Sequence, residues 1–271
     1  MNGLTNFLKS KSPYAQGVFQ AVGHSILNVV QALGAITLFA LRTLGHCLAP
    51  PLYLRHIGRQ MIDIGYYSLP VVGMTALFTG MVLALQSYTG FSRFNAESAI
   101  ASVVVLSITR ELSPVLAGLM VAGRVGASIA AEIGTMRVTE QIDALTTLSV
   151  NPMKYLVVPR VIAGALMLPL LVLIGDIIGV YGGYIVATHV LEFSPHNYLH
   201  QTWSVLEQND VVSGLVKAAV FGFLVALMGC YHGYNSGRGA QGVGAATTNA
   251  VVTASILILI FNYLITQIFF S

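Results

Sequence analysis

Five stretches of this chain, Ile64 to Ser92, Ser98 to Ala131, Val161 to Leu191, Val211 to Tyr231 and a run within Gly239 to Ser271, are apolar and long enough to cross a hydrocarbon core. Such a core is about 30 Å thick and takes roughly 20 residues of helix. Backbone N–H and C=O groups find no water there, so each segment must satisfy them internally, as a helix or in a closed barrel. The pattern excludes a barrel, because the runs are too long, rich in glycine, and without sustained apolar–polar alternation. Charged residues make up 8% of the 271 and hydrophobic residues 55%, against about 25% and 45–50% in a soluble domain. So little charge cannot cover a water-soluble surface. The fold class that follows is an all-α integral membrane protein with about five transmembrane helices.

The basic residues set an expected orientation. Lys9, Lys11, Arg42, Arg55 and Arg59 precede the first span, Arg124, Arg137, Lys154 and Arg160 surround the second connection, and Arg238 lies in the fourth. These ten of the thirteen Lys and Arg share one side, whereas Glu192 to Asp210 contains none. Positive-inside bias then places the N-terminus of this multi-pass protein in the cytoplasm. No signal-type cleavage site follows Met1 to Pro13, so the N-terminus is expected to be retained. Cys47 and Cys230 share no metal-type spacing and read as unpaired thiols. Pro13 to Leu41 is uncharged and long enough to span, yet Gln20, His24, Asn28 and Gln31 form a polar stripe at helical spacing. It is an interfacial helix or a sixth span. Residues 1–62 accordingly form an N-terminal helical region and 63–271 the transmembrane domain.

Within the spans, small residues recur at every fourth position: Gly175, Gly179 and Gly183, and again Ala122, Gly126, Ala130 and Gly134. Such rows let helices approach closely and argue for a compact bundle, not for a chemistry. Glu97, Lys217, Arg110, Glu111 and Asp176 lie at membrane depth, where a charge costs about 2.5–3.5 kcal/mol on insertion scales. Each is either paired inside the bundle or snorkelling, or else faces a cavity that handles a charged headgroup. Pro114 predicts a kink in the second span.

Thr135 to Val150, TMRVTEQIDALTTLSV, is the amphipathic stretch between the second and third spans, with Val138, Ile142, Leu145 and Leu148 on one face. Thr139 is the expected N-cap, Glu140 falls in the first turn, and Asn151–Pro152 ends the segment. By itself it is an interfacial anchor or a docking helix.

The run from Arg110 to Pro159, RELSPVLAGLMVAGRVGASIAAEIGTMRVTEQIDALTTLSVNPMKYLVVP, resembles the signature region of the MlaE (YrbE) permease family. AGRVGASIAAEIGTMRVTEQIDAL and NPMKYLVVPR match it almost residue for residue. FTGMVLALQ, FNAESAI, LPLL and GYNSGRGAQGVGAATTNAVV extend the similarity from about Gly65 to the last span. The resemblance implies the permease of an ABC transporter that moves phospholipid between the inner membrane and an envelope partner. Its implied partners are a second copy of the chain, a cytoplasmic ATPase that binds ATP and Mg, an outer-side MCE-domain protein and a small accessory cytoplasmic subunit. No nucleic acid is implied. Thr135 to Leu148 becomes the coupling helix, with Arg137, Glu140 and Asp143 meeting the ATPase and Ile142 and Leu145 filling its apolar cleft. On the first span, Leu77, Met81, Leu85 and Tyr88 are expected to present an apolar wall to acyl chains, unless they serve ordinary helix packing. Gln86, Arg93, Glu97 and Lys217 are expected to serve the headgroup.

Other motifs carry little. Gly237, Gly239 and Gly242 spell G-x-G-x-x-G after a transmembrane helix, without βαβ context, and read as a flexible loop. Glu192, His196 and His200 lack a further strong ligand for zinc and read as an amphipathic helix, so no metal is expected. No P-loop motif occurs, so no nucleotide is expected in this chain and energy must come from another subunit. The rival readings are an intramembrane enzyme acting on lipid or peptide, which lacks H-E-x-x-H and paired deep aspartates, and a passive channel or scaffold, which leaves the deep charges without purpose. No catalytic residue is assigned.

Overall fold

A computed structural model describes residues 13–48, 53–94 and 99–270; Glu97 and the side chains of Gln20, His24 and Asn28 lie outside the described residues. Among the described residues the chain is helical apart from short connections, with no strand, and five helices are long and apolar enough to cross a membrane. The chain divides at Gly45 and His46. Helix α1, Pro13–Leu48, is one continuous element of 36 residues. Beyond it, α2 (Leu54–Ile64) passes through the turn Tyr66–Ser68 into α3 (Leu69–Phe91) to make the first span. The second, third, fourth and fifth spans are α4 (Ile100–Val138), α6 (Met153–His189), α8 (Gln208–Tyr234) and α9 (Gly239–Phe270). Short helices α5 (Gln141–Thr147) and α7 (Pro195–Val205) cap opposite ends of this bundle.

The helix starts follow local chemistry. Glu207 and Asp210 form a reciprocal capping box at α8, each side chain accepting from the other's backbone end of the first turn. Pro195 opens α7, where its missing N–H costs nothing. The glycine motif is a tight turn and not a flexible loop: Gly239 adopts φ +75° and begins α9, and a Cβ on Gly242 would collide with the Gly237 backbone.

Helix α8 is the centre of the bundle, with 61% of its most apolar window buried, against 22% for the first span and 17% for α9. Its neighbours are α4, α6 and α9, while α3 packs on α6. Backbones meet where side chains are smallest. A Cβ on Gly80 of α3 would strike the carbonyl of Gly179 on α6, and one on Gly222 of α8 would strike that of Gly164 on α6. The two rows seen in the sequence serve this packing. Gly175, Gly179 and Gly183 face α3 and α4, while Gly126 and Ala130 present carbonyls to Gly229 and Gly233 of α8.

Helix α4 departs from a simple proline kink. It contains two π-helical turns, Ile108–Leu112 and Ala122–Gly126, and a third opens α6 at Met153–Val157. Each inserts an extra residue into a turn, and such bulges cluster at functional sites. The first two carry Arg110 and Arg124. The guanidinium of Arg124 donates to Ser68 Oγ at 3.1 Å and to the Asp63 carbonyl, tying α4 to the bend of the first span.

The connection between the second and third spans differs most from expectation. Thr135 to Val138 complete α4: the spanning helix continues through them, with Thr135 Oγ1 folded back onto the Ala131 carbonyl. Thr139 is thus the C-terminal cap of α4, not the N-cap of a coupling helix. Glu140 follows with φ +59°, a left-handed turn that reverses the chain and keeps it out of the first turn. Only Gln141–Thr147 remain for α5.

These crossings predict which glycines tolerate a methyl group. Gly222→Ala should lower the unfolding midpoint of the detergent-solubilised chain, at a cost of about 1–3 kcal/mol from overpacking. Gly90→Ala, which meets nothing within 4 Å, should leave it unchanged. Equal midpoints for the two variants would show that the α6–α8 crossing is not tight.

Candidate functional site: an intramembrane charge network beside an apolar cleft

The first π turn of α4 places Arg110 and Glu111 next to each other inside the bundle. Arg110 reaches Asp210 at the start of α8, with Nε and Nη2 both 2.7 Å from Oδ1, and its guanidinium lies 4.4 Å above the Phe270 ring of α9. Asp210 therefore pairs with Arg110 through one oxygen while its other accepts the Glu207 N–H at 3.0 Å. Glu111 turns the other way. It accepts from Lys217 Nζ of α8 at 2.8 Å, Asn262 Nδ2 of α9 at 2.8 Å and Thr266 Oγ1 at 2.9 Å.

Lys217 is fully buried, so its ammonium depends on protein partners alone. Besides Glu111 it donates to the Arg110 carbonyl at 2.7 Å. Pro114, four residues after Arg110, has no N–H to offer that carbonyl, and the lysine supplies the missing donor. The proline, the π turn and the lysine thus form one device. Arg110 and Glu111 keep about a third of their side-chain surface open, at 34% and 38%.

Next to Glu111, Leu112 forms the floor of an open cleft of about 400 Å³ against α3, completed by Phe78, Thr79, Val82, Leu83 and Gln86. The apolar wall of α3 is therefore Phe78, Val82 and Leu85, with Met74 one turn earlier, all more than two fifths exposed. Of the expected wall, Leu85 alone lies on this face. Met81 and Tyr88 pack inward on the cluster of Ala84, Ile100, Val104, Ile108 and Val186, and Leu77 lies over Gly182. The reason is the small-residue face Gly80, Ala84 and Ser87, which turns toward α6 and α4 and carries its flanking side chains with it. That stripe was legible in the sequence and points to the opposite face as the open one.

Gln86 lines the cleft. Lys217 does not, because it is locked in the network. Arg93 is exposed in the turn Ser92–Phe94, and Glu97, its expected neighbour, lies outside the described residues. Sequence reasoning left out Arg110, Glu111, Asp210, Asn262 and Thr266 from the site; the first two were visible as deep charges, while the last three announce themselves only through tertiary contact.

At the other end, Ile142 is buried within its own chain and is unavailable to a partner. Asp143 is occupied by Arg137 at 2.8 Å. Leu145 is half-buried, Glu140 is exposed, and Leu148, 73% exposed, is the apolar side chain on offer. Arg160 pairs with Glu132 at 2.9 Å beneath this region. Among the described residues no cluster of His, Cys, Asp and Glu has the make-up of a metal site, although His196 and His200 lie close, with ring centroids 6.5 Å apart.

The sequence profile of the family described as Permease MlaE matches residues 57–268, almost the whole of the unit that holds the network and the cleft. The chain belongs to the MlaE permease family. A "Probable ABC transporter permease protein" of Rickettsia felis is 63% identical over 254 residues, 94% of this chain and 98% of the relative. The "Intermembrane phospholipid transport system permease protein MlaE" of Haemophilus influenzae is 33% identical over 262 residues, covering 91% and 99%. The "Protein TRIGALACTOSYLDIACYLGLYCEROL 1, chloroplastic" of Arabidopsis thaliana is 36% identical over 220 residues, 81% of this chain and 63% of its own length. As an MlaE-family permease the chain is a multi-pass membrane protein, and its charges lie within a transport subunit.

In this MlaE permease the network is expected to behave as a unit. Glu111→Ala leaves Lys217 buried and unpaired, and should cost roughly 3 kcal/mol, the low end for a broken buried pair because Glu111 is partly open. The double variant Glu111→Leu with Lys217→Met should recover at least half of that loss in thermal unfolding. A double variant less stable than Glu111→Ala would count against the pairing.

Proposed function

We propose that this permease moves phospholipid as the membrane-spanning subunit of an ABC-type transporter in a bacterial inner membrane, working as a homodimer with its N-terminus in the cytoplasm. A separate ATPase binds ATP and Mg, an MCE-domain protein receives or delivers lipid on the outer side, and a small cytoplasmic subunit accompanies the ATPase. The observation that carries this reading is the open apolar cleft of Phe78, Val82 and Gln86, whose lining residue on α4, Leu112, follows the partly open Arg110 and Glu111 in the same helical turn. An apolar wall next to partly open charges matches an amphiphile, with acyl chains on the wall and a zwitterionic headgroup between carboxylate and guanidinium. The first span and α9 bury little of their apolar surface, which supports a second copy closing over the cleft.

With no nucleotide motif of its own, the chain contributes differential affinity for lipid between a wide and a collapsed cleft, and the ATPase biases that equilibrium. Helix α5 is the connection. It joins α4 directly and α6 through the Asn151–Pro152 turn, and both of these spans carry π turns next to the connection or the network. The docking surface is Glu140, Leu145 and Leu148, with Arg137 and Asp143 bracing the turn from within.

Reconstitution with the ATPase should give ATP hydrolysis and ATP-dependent movement of labelled phospholipid that the permease alone lacks. Leu148→Asp combined with Glu140→Lys should weaken assembly about tenfold or more by opposing charge and apolar complementarity. Normal co-purification and hydrolysis would remove α5 from the docking role. Photocrosslinkers at Phe78, Val82 and Gln86 should capture phospholipid above the level at Leu166, an exposed residue of α6; equal capture would sink the cleft.

A further inference from the structure

The cleft is not the only cavity among the described residues. A groove of about 670 Å³ runs along α6 under α7 on another face of the bundle, lined by Leu173, Ile177 and Val180 with Tyr181, Leu199 and Trp203 at its rim. Its lining is mainly apolar; the Thr109 and Thr202 hydroxyls donate to carbonyls of their own helices, and two further residues are left with an unsatisfied polar atom. Asp176 is 7% exposed and its Oδ1 has no hydrogen-bond partner; Tyr198 is 4% exposed and its hydroxyl has none either. Both line the groove. Ser113 on α4 gives the carboxyl one hydrogen-bonding neighbour, and Oδ1 is the atom left without a partner. Buried polar groups without partners are rare, and two in one groove call for a ligand that satisfies them.

The lining specifies that ligand. A spanning helix, about 30 Å long and about 10 Å across, is several times too large for the groove, whereas the volume lies within the ~300–1,000 Å³ of small-molecule pockets. Ile177 and Tyr181, 66% and 58% exposed, open it sideways to the hydrocarbon, so the ligand arrives from the membrane. Asp176 requires a hydrogen-bond donor. The Tyr198 phenol, pushed up to about 12 by burial, remains a donor and requires an acceptor. No Lys, Arg or His lines the groove, so a phosphate would meet a carboxylate with nothing to neutralise it. The Tyr198 hydroxyl sits against Gly183, two turns along α6 from Asp176, so one ligand must carry its donor and its acceptor on separate groups.

We propose that this groove binds one neutral acylglycerol, its free hydroxyl donating to Asp176 and an ester carbonyl accepting from Tyr198. The site is separate from the phospholipid cleft and does not depend on that assignment. It makes the permease a binder of a phosphate-free lipid taken from the same membrane.

The test uses the full chain in phosphatidylcholine nanodiscs with a diazirine-bearing diacylglycerol as probe, and peptide mapping of the adducts. Labelling should concentrate between Leu173 and Leu206 and be competed by unlabelled diacylglycerol but not by phosphatidylethanolamine. Tyr198→Phe, which removes one oxygen, should reduce it about fivefold, the worth of one hydrogen bond. Asp176→Leu should reduce it tenfold or more, because the lost acceptor is a carboxylate. Thermal midpoints at or above that of the parent chain establish that both variants are folded. Labelling unaffected by either variant, or no higher than on α9, would overturn the site as annular lipid only. Equal competition by phosphatidylethanolamine would overturn the acylglycerol assignment.

Discussion

Lys217 has no exposure to any solvent, and the arrangement of α4, α8 and α9 depends on how its ammonium is held. Coulomb attraction to Glu111 alone would not compensate for desolvating both ions. The Arg110 carbonyl freed by Pro114 supplies a second acceptor, and Asn262 and Thr266 satisfy the remaining carboxylate capacity. Three spans are thereby fixed in register by contacts that hydrophobic packing could not impose, since lipid and side chain are equally apolar. Arg110 extends the same logic to the start of α8 through Asp210, which also caps that helix.

Close packing then does what the hydrophobic effect cannot do in a bilayer. Carbonyl-to-glycine approaches at Gly80 with Gly179, and at Gly222 with Gly164, hold α3 and α8 against the two sides of α6. These contacts are rigid to insertion yet smooth along the helix axis, so they permit sliding more readily than interlocked side chains would. The π turns lie where such sliding would have to be absorbed, beside the network and at the entry to α6. A bundle built this way can hold a polar site in the membrane and still change shape when pushed through α5.

The surface is divided by the same forces. Face by face, α3 turns its small residues inward and its large ones outward, which is why the open wall is Phe78, Val82 and Leu85 and not the face containing Met81 and Tyr88. Across the bundle, Asp176 Oδ1 and the Tyr198 hydroxyl remain without partners where a groove meets the membrane, although Lys217 and Glu111 are supplied with theirs.

The amino-acid sequence by itself determined the all-α membrane class, the five spans and the membership of the permease family. These rest on run length, absence of charge and a long motif, all of which are local or linear properties. It also exposed the deep charges, because a Lys or Glu within an apolar run is conspicuous wherever it ends up. Which charges pair was decided only in three dimensions: Glu111 meets Lys217 across 106 positions and Asn262 across 151, separations at which periodicity carries no information. The coupling segment shows the same limit in miniature. Its amphipathic pattern was real, but α4 ran on to Val138 and a left-handed Glu140 turned the chain, so Ile142 faced its own protein and Leu148 faced outward. Helical spacing says which residues share a face; only packing against a neighbour says which way that face points.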